Sequence, residues 1–169
     1  PLSGQIELTY RCGLNCIHCY CKGSEPQVTG HRPQAVRELT TQEWKNILDE
    51  IHQEGCLYLA LTGGEPLIRE DFLEIYSYAK VKGFIVSLLT SGQLFTSKLI
   101  DFLAQSPPCS IEITLNGISQ DTYESITQVK GSFSKVMWTI RLLAKKRLKL
   151  VLKANCLKIN KNEIGRIKA

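Results

Sequence analysis

Polar and apolar positions along the chain follow two periods in turn. Gln5-Ile6-Glu7-Leu8-Thr9 alternates strictly, which predicts a short strand. Residues 22–39 show no period and carry Gly23, Pro26, Gly30 and Pro33, so they read as a loop. Thr40-Thr41-Gln42-Glu43 has the form of a capping box, in which Thr40 and Glu43 each satisfy the other's backbone amide. Trp44, Ile47, Leu48 and Ile51 follow at helical spacing, and Gly55 ends the run. Leu57-Tyr58-Leu59-Ala60-Leu61 is a short apolar run of the kind buried on both faces of a parallel sheet.

The same alternation repeats down the chain. Phe72, Ile75, Tyr76 and Ala79 predict a helix that stops near Gly83, and a strand follows over 84–89. A short helix over 96–104 leads to a strand over 110–115. Phe133, Val136, Met137, Ile140 and Leu143 form a helical stripe before a last strand over 148–154. Strands separated by helices imply a βαβ series, hence an α/β domain with a parallel sheet. Ligands in such folds gather at the strands' C-terminal ends, which places the candidate functional loops at 10–22, 62–68, 90–95, 116–120 and 155–160.

Composition narrows the class without changing this picture. The 169 residues are 43% hydrophobic and 22% charged, which suits one globular domain over 1–169 and excludes collagen-like or disordered chains. No apolar run approaches the roughly 20 residues needed to cross a bilayer, so no membrane span is expected. The net charge of +5 is uneven: residues 1–140 carry a net of −4 and residues 141–169 a net of +9. Nucleic acid or an anionic substrate can bind such a segment. The preferred reading is that Arg141, Lys145, Lys146 and Arg147 line a solvated helix face, and nucleic acid is not expected as a partner.

Seven cysteines carry the chemistry. Four, Cys12, Cys16, Cys19 and Cys21, fall within ten residues. Their odd total and their clustering argue for a metal site in a reducing, cytoplasmic setting rather than a disulfide framework. Cys56, Cys109 and Cys156 stand alone and are expected to be buried thiols. Cys12, Cys16 and Cys19 have the spacing C-x3-C-x2-C, so three thiolates can converge on one soft metal centre. An iron–sulfur cluster normally takes four cysteines, and three would leave one iron open. A closed zinc site with Cys21 or His18 as fourth ligand is the alternative. Thr62-Gly63-Gly64-Glu65-Pro66 follows the second strand, where two glycines permit close approach of a ligand and Glu65 can accept from an amine. Thr90-Ser91-Gly92 ends the third strand.

Together, CGLNCIHCY, LTGGEPL, LLTSG, ITLNG and YESITQVKGSFSKV resemble, in order and spacing, the radical S-adenosylmethionine (radical SAM) enzymes. The likeness is to a branch of SPASM-type peptide-modifying and haem-biosynthetic members. This resemblance implies a [4Fe–4S] cluster on Cys12, Cys16 and Cys19, with its open iron chelated by SAM. It implies that Gly63, Gly64 and Glu65 receive the methionine amino group and that Ser91 lies by the ribose. Thr114, Asn116 and Asn155 are weaker cofactor candidates, and the backbone of His18 would lie near adenine. Reductive cleavage of SAM would give a 5′-deoxyadenosyl radical that abstracts hydrogen from a peptide, a porphyrin or another small molecule. An electron donor such as a flavodoxin or ferredoxin would be a partner. A non-catalytic iron–sulfur or zinc module is the reading from another class. Ser91 stands where many relatives have Asn, and no Arg near Thr127 offers itself to the SAM carboxylate. The family's barrel has six βα units. The expectation is therefore a partial (β/α)6 barrel truncated after its fifth strand, within a protein that continues to a sixth unit and a cysteine-rich domain.

Overall fold

The computed structural model describes residues 1–21 and 37–167. Five strands stand in sequence order in one sheet: β1 (Ser3–Glu7), β2 (Tyr58–Thr62), β3 (Ile85–Thr90), β4 (Ser110–Thr114) and β5 (Leu150–Lys153). Every adjacent pair is parallel. Each return therefore needs a crossover, supplied by α1 (Thr41–Gln53), α2 (Phe72–Val81), α3 (Ser97–Gln105), and the pair α4 (Gln120–Thr127) and α5 (Ser132–Lys145). The result is an open five-stranded parallel sheet, the α/β class that the alternation predicts and an arrangement that suits part of the expected (β/α)6 barrel. Most of the loop expected over 22–39 lies outside the described residues.

Helix starts follow local chemistry. The capping box at α1 is formed, with the Glu43 amide donating to Thr40 Oγ1 at 3.3 Å and the Thr40 amide to Glu43 Oε2 at 2.8 Å. Helix α4 starts at Ser119, whose side chain accepts from the Thr122 amide, and buries Tyr123, Ile126 and Thr127. Gln128 at φ 57° ends it in the left-handed region, and Gly131 at φ 78° opens α5.

Among the described residues one sheet face is packed and the other is open. Leu59, Leu61, Val86, Leu88, Ile111 and Ile113 are buried against Leu48, Ile75, Tyr76, Ile100, Leu103, Val136 and Leu143 from the helices. The opposite face is not the apolar surface expected of strands buried on both sides: Tyr58 is 46% exposed, and it borders a groove with Gln5, Ser87, Glu112 and Lys153. Two of the three lone cysteines also differ from expectation. Cys56 is buried, but Cys109 follows Pro107-Pro108 just before β4 and Cys156 lies in the loop after β5, and both are exposed.

The segment after β5 is latched back onto the β4–α4 junction. Asn160, fully buried, donates to the carbonyls of Asn116 at 2.7 Å and Asn155 at 2.8 Å. Glu163 accepts from the Ile118 amide at 2.7 Å and from the hydroxyls of Ser119 and Thr122, both at 2.7 Å. Its negative charge also sits at the positive end of the α4 dipole.

Desolvation works against the Glu163 charge, yet the bonds from Thr122, Ser119 and Ile118 hold its pKa at about 2. A carboxyl depressed on folding stabilises fully above its unfolded pKa of about 4.3 and loses that contribution as pH falls toward the folded value. Urea midpoints should therefore fall between about pH 4.3 and pH 2, part of this through Glu163. Glu163→Gln should lower stability at pH 7 and flatten this acid decline, and a variant with the unaltered pH profile would refute the latch.

Candidate functional site

The ends of β1, β2 and β3 meet through a close backbone crossing. Beyond the strands, the Leu8 amide donates to the Thr62 carbonyl at 2.9 Å, the Gly64 amide to Thr9 at 2.7 Å and the Glu65 amide to Arg11 at 2.8 Å. A Cβ on Gly63, at φ 135°, would stand 2.3 Å from the Thr9 carbonyl oxygen. One on Gly64 would stand 2.4 Å from that of Arg11. The close approach that demands these glycines is thus that of the cysteine loop's own backbone.

Glu65, next in the chain, is 1% exposed. Thr90 Oγ1 donates to its two oxygens at 2.8 and 3.0 Å, the Ser91 amide at 2.8 Å and the Leu67 amide at 3.2 Å, and the Ser91 hydroxyl donates as well. Among the described residues every donor is neutral. Burial pushes the Glu65 carboxyl pKa up, and the bonds from Ser91 and Thr90 work against that rise. The carboxylate joins the β2 and β3 loops, and Ser91 turns its hydroxyl to it.

The cysteine loop is anchored on α4. The amides of Asn15 and Ile17 donate to the Thr127 and Ile126 carbonyls at 2.9 Å, the last turn of α4. Cys12, Cys16, Cys19 and Cys21 are all half-buried. Tyr123 of α4, 1% exposed, lies near Cys16 and Cys12, and burial first, then the neighbouring Cys16, raises its pKa. Among the described residues no three His, Cys, Asp or Glu side chains are gathered as a metal site. Three thiols within eight residues of one anchored loop are nevertheless the donor set that an iron–sulfur cluster takes, so the residues fit that group.

On the β4 side Asn116, 2% exposed, accepts from the Asn155 amide at 2.8 Å through Oδ1, which fixes its amide orientation. Its Nδ2 therefore faces His18 Nε2, 3.2 Å away, which accepts. Asn116, Asn155 and His18 are thus brought together, while Thr114 sits half-buried in register with Lys153.

Four structural partners escaped the sequence reading: Thr90, Tyr123, Asn160 and Arg69. Arg69 is 7% exposed, clasps Asp71 at 2.7 and 2.8 Å, and donates to the carbonyls of Leu8 at 3.2 Å and Leu39 at 3.0 Å. Its bond also holds the Asp71 pKa down. Thr90 could have been found from its place in the motif beside Ser91, whereas the other three are defined by contacts distant in sequence.

The model of the radical SAM superfamily matches residues 6–167. The PqqA peptide cyclase of Rhizobium meliloti (strain 1021) is 32% identical over 164 residues, 97% of this chain and 42% of that protein. The AdoMet-dependent heme synthase of Methanosarcina barkeri (strain Fusaro / DSM 804) is 32% identical over 158 residues, 94% of this chain and 43% of that protein. The chain thus spans less than half the length of these curated relatives. Streptococcus suis SuiB, solved bound to its precursor peptide SuiA, shares the fold with a TM-score of 0.78 at 17% identity, over 98% of this chain and 36% of that one.

Because Gly64 is crossed by backbone on its Cβ side, Gly64→Ala should separate the cysteine loop from β2. Overpacking of this kind costs about 1–3 kcal/mol. Urea denaturation should show that loss, and hydrogen exchange should show the Glu65 amide deprotected. A variant of unchanged stability would rule out the crossing.

Proposed function

The chain belongs to the radical SAM superfamily, and from that membership we propose that it forms the core of a SAM-cleaving enzyme. Cys12, Cys16 and Cys19 would hold a [4Fe–4S] cluster, with Cys21 a neighbour. When bound, the cluster supplies the electron for reductive cleavage of SAM to a 5′-deoxyadenosyl radical that takes hydrogen from the substrate.

The observation that carries this reading is Glu65: a buried carboxylate whose donors among the described residues are all neutral, beside the cysteine loop. Burying a carboxylate without a counter-charge is unfavourable, and a ligand ammonium would supply the missing charge. The methionine amino group of SAM is such an ammonium. Gly63 and Gly64 keep the loop thin there, and Ser91, fixed by Glu65, lines the ribose side. His18, held by Asn116, would border adenine, with Thr114 and Asn155 at the neighbouring strand ends. A closed zinc or iron–sulfur module has no use for such a carboxylate.

A peptide is the preferred substrate, supported by the named peptide cyclase and by SuiB with its precursor peptide. A haem-directed reaction is the second reading, favoured by the 32% identity to the heme synthase. Reduction would come from a flavodoxin or ferredoxin, and a cytoplasmic location suits that donor and the thiols.

Anaerobic preparation with iron and sulfide should yield one oxygen-sensitive cluster whose electron paramagnetic resonance spectrum changes with SAM. Cys16→Ala should abolish the cluster and Cys21→Ala retain it. Tightly bound zinc without iron, or loss of the cluster in Cys21→Ala, contradicts the ligand assignment. Glu65→Gln should keep the cluster but weaken SAM binding by roughly 10–100-fold, the worth of about 1.5–3 kcal/mol for a bond to a charged group. Unchanged SAM affinity in that variant would exclude Glu65 as the ammonium partner.

A further inference from the structure

Beside the cysteine loop lies a buried hydroxyl whose proton is unspent. Among the described residues the Tyr123 hydroxyl accepts from Gln93 Nε2 at 3.4 Å and donates to none, although the residue is 1% exposed. Buried donors are nearly always used, so this one calls for an acceptor. The hydroxyls around it are committed. Those of Thr127 and Ser132 share a bond of 2.8 Å, and Ser132 donates on to the Val129 carbonyl at 2.7 Å. The phenol is also held in place: its ring packs on Phe133 at 5.7 Å between centroids, and Gln93 is tied to the Ser132 carbonyl at 3.0 Å.

The acidic groups coupled electrostatically to this hydroxyl are, in order of strength, Cys16, Glu65 and Cys12. The Glu65 oxygens already accept from Thr90, Ser91 and Leu67, and Cys12 Sγ accepts from the Leu14 amide at 3.4 Å. Cys16 has the strongest coupling, and the backbone brings it to the same helix. The Asn15 and Ile17 amides on either side of it are bonded at 2.9 Å to the carbonyls of Thr127 and Ile126. Those two residues follow Tyr123 by four and three places, on the same buried face of α4.

We infer that the Tyr123 hydroxyl donates to the Cys16 sulfur when that sulfur is a cluster-bound thiolate, and that it thereby raises the cluster's reduction potential. The assignment rests on the cluster reading above. A thiol is a weak acceptor, whereas a thiolate is a charged one. The bond is stronger to the reduced cluster, which carries one more negative charge, so it favours reduction. Gln93, by donating to the phenol oxygen, makes the O–H a better donor. The SAM carboxylate is the competing acceptor, since no Arg stands near Thr127 in the chain.

The test is a redox titration followed by electron paramagnetic resonance, without SAM, on the full-length protein that contains this chain, reconstituted anaerobically with iron and sulfide. The relevant signal is the one that Cys16→Ala lacks. Tyr123→Phe should keep the cluster and lower its potential by about 59 mV, a tenfold change in a one-electron equilibrium. Tyr123→3-fluorotyrosine, a more acidic phenol and so a stronger donor, should raise the potential instead. Opposite signs are not what a packing defect gives, and the fluorinated variant carries the test alone if Tyr123→Phe does not fold. An unchanged potential in the variants, or a fall in both, would overturn the inference. So would an unchanged potential with SAM affinity weakened tenfold in Tyr123→Phe, which would give the hydroxyl to the SAM carboxylate. If the unaltered protein assembles no cluster on these cysteines, the reading beneath fails. If the cluster is normal and its potential ignores Tyr123, this inference alone fails.

Discussion

The passage of Thr9–Arg11 across Gly63 and Gly64 is the contact on which the rest of the site depends. Two amide–carbonyl bonds of 2.7 and 2.8 Å extend the β1–β2 pairing past the strands, and the missing side chains let the backbones meet. This carries the cysteine loop over the end of β2 and turns Glu65 inward toward Thr90 and Ser91. A carboxylate there is tolerable only because two hydroxyls and two amides replace part of its lost hydration. The same neutrality leaves it suited to a cation. Close packing at the glycines and affinity at the glutamate are therefore one arrangement.

Around this crossing the protein places ionic and amide networks where ordinary packing would leave segments loose. Arg69 draws together the end of β1, residue 39 and the turn after Glu65, and Glu38 joins the set through Arg11 and Thr9. Asn116 does the same on the far side, between His18 and the segment after β5. Each is a buried polar group with its partners present, so each fixes geometry that apolar contacts alone would leave approximate.

Much of this was legible in the chain because the information was local. Five strands and their parallel order followed from period and spacing, with boundaries displaced by one or two residues, as β1 at Ser3–Glu7 against 5–9 shows. The capping box at Thr40 and Glu43 lies within four residues and was readable as written. What could not be read depends on partners far away. Tyr123 looks like any core aromatic until the cysteine loop lies on it, and Asn160 like any loop residue until it reaches Asn116. Cys109 and Cys156 resembled buried thiols because their neighbours are apolar, but they lie just outside β4 and β5, where both are exposed. Tyr58 kept its exposure because, among the described residues, its face of the sheet borders a groove rather than the core.

The anchorage of the cysteine loop on α4 has a consequence for the order in which the protein is made. Asn15 and Ile17 find their carbonyl partners on Ile126 and Thr127, more than a hundred residues later in the chain. A ribosome therefore releases the thiols of Cys12, Cys16 and Cys19 long before the helix that fixes their loop has been synthesised. During that interval the thiols have no native enclosure, and contacts of such long sequence separation form slowly. The interval of greatest vulnerability to oxidation and to the wrong metal thus belongs to the nascent chain, and it closes only when the fourth βα unit docks.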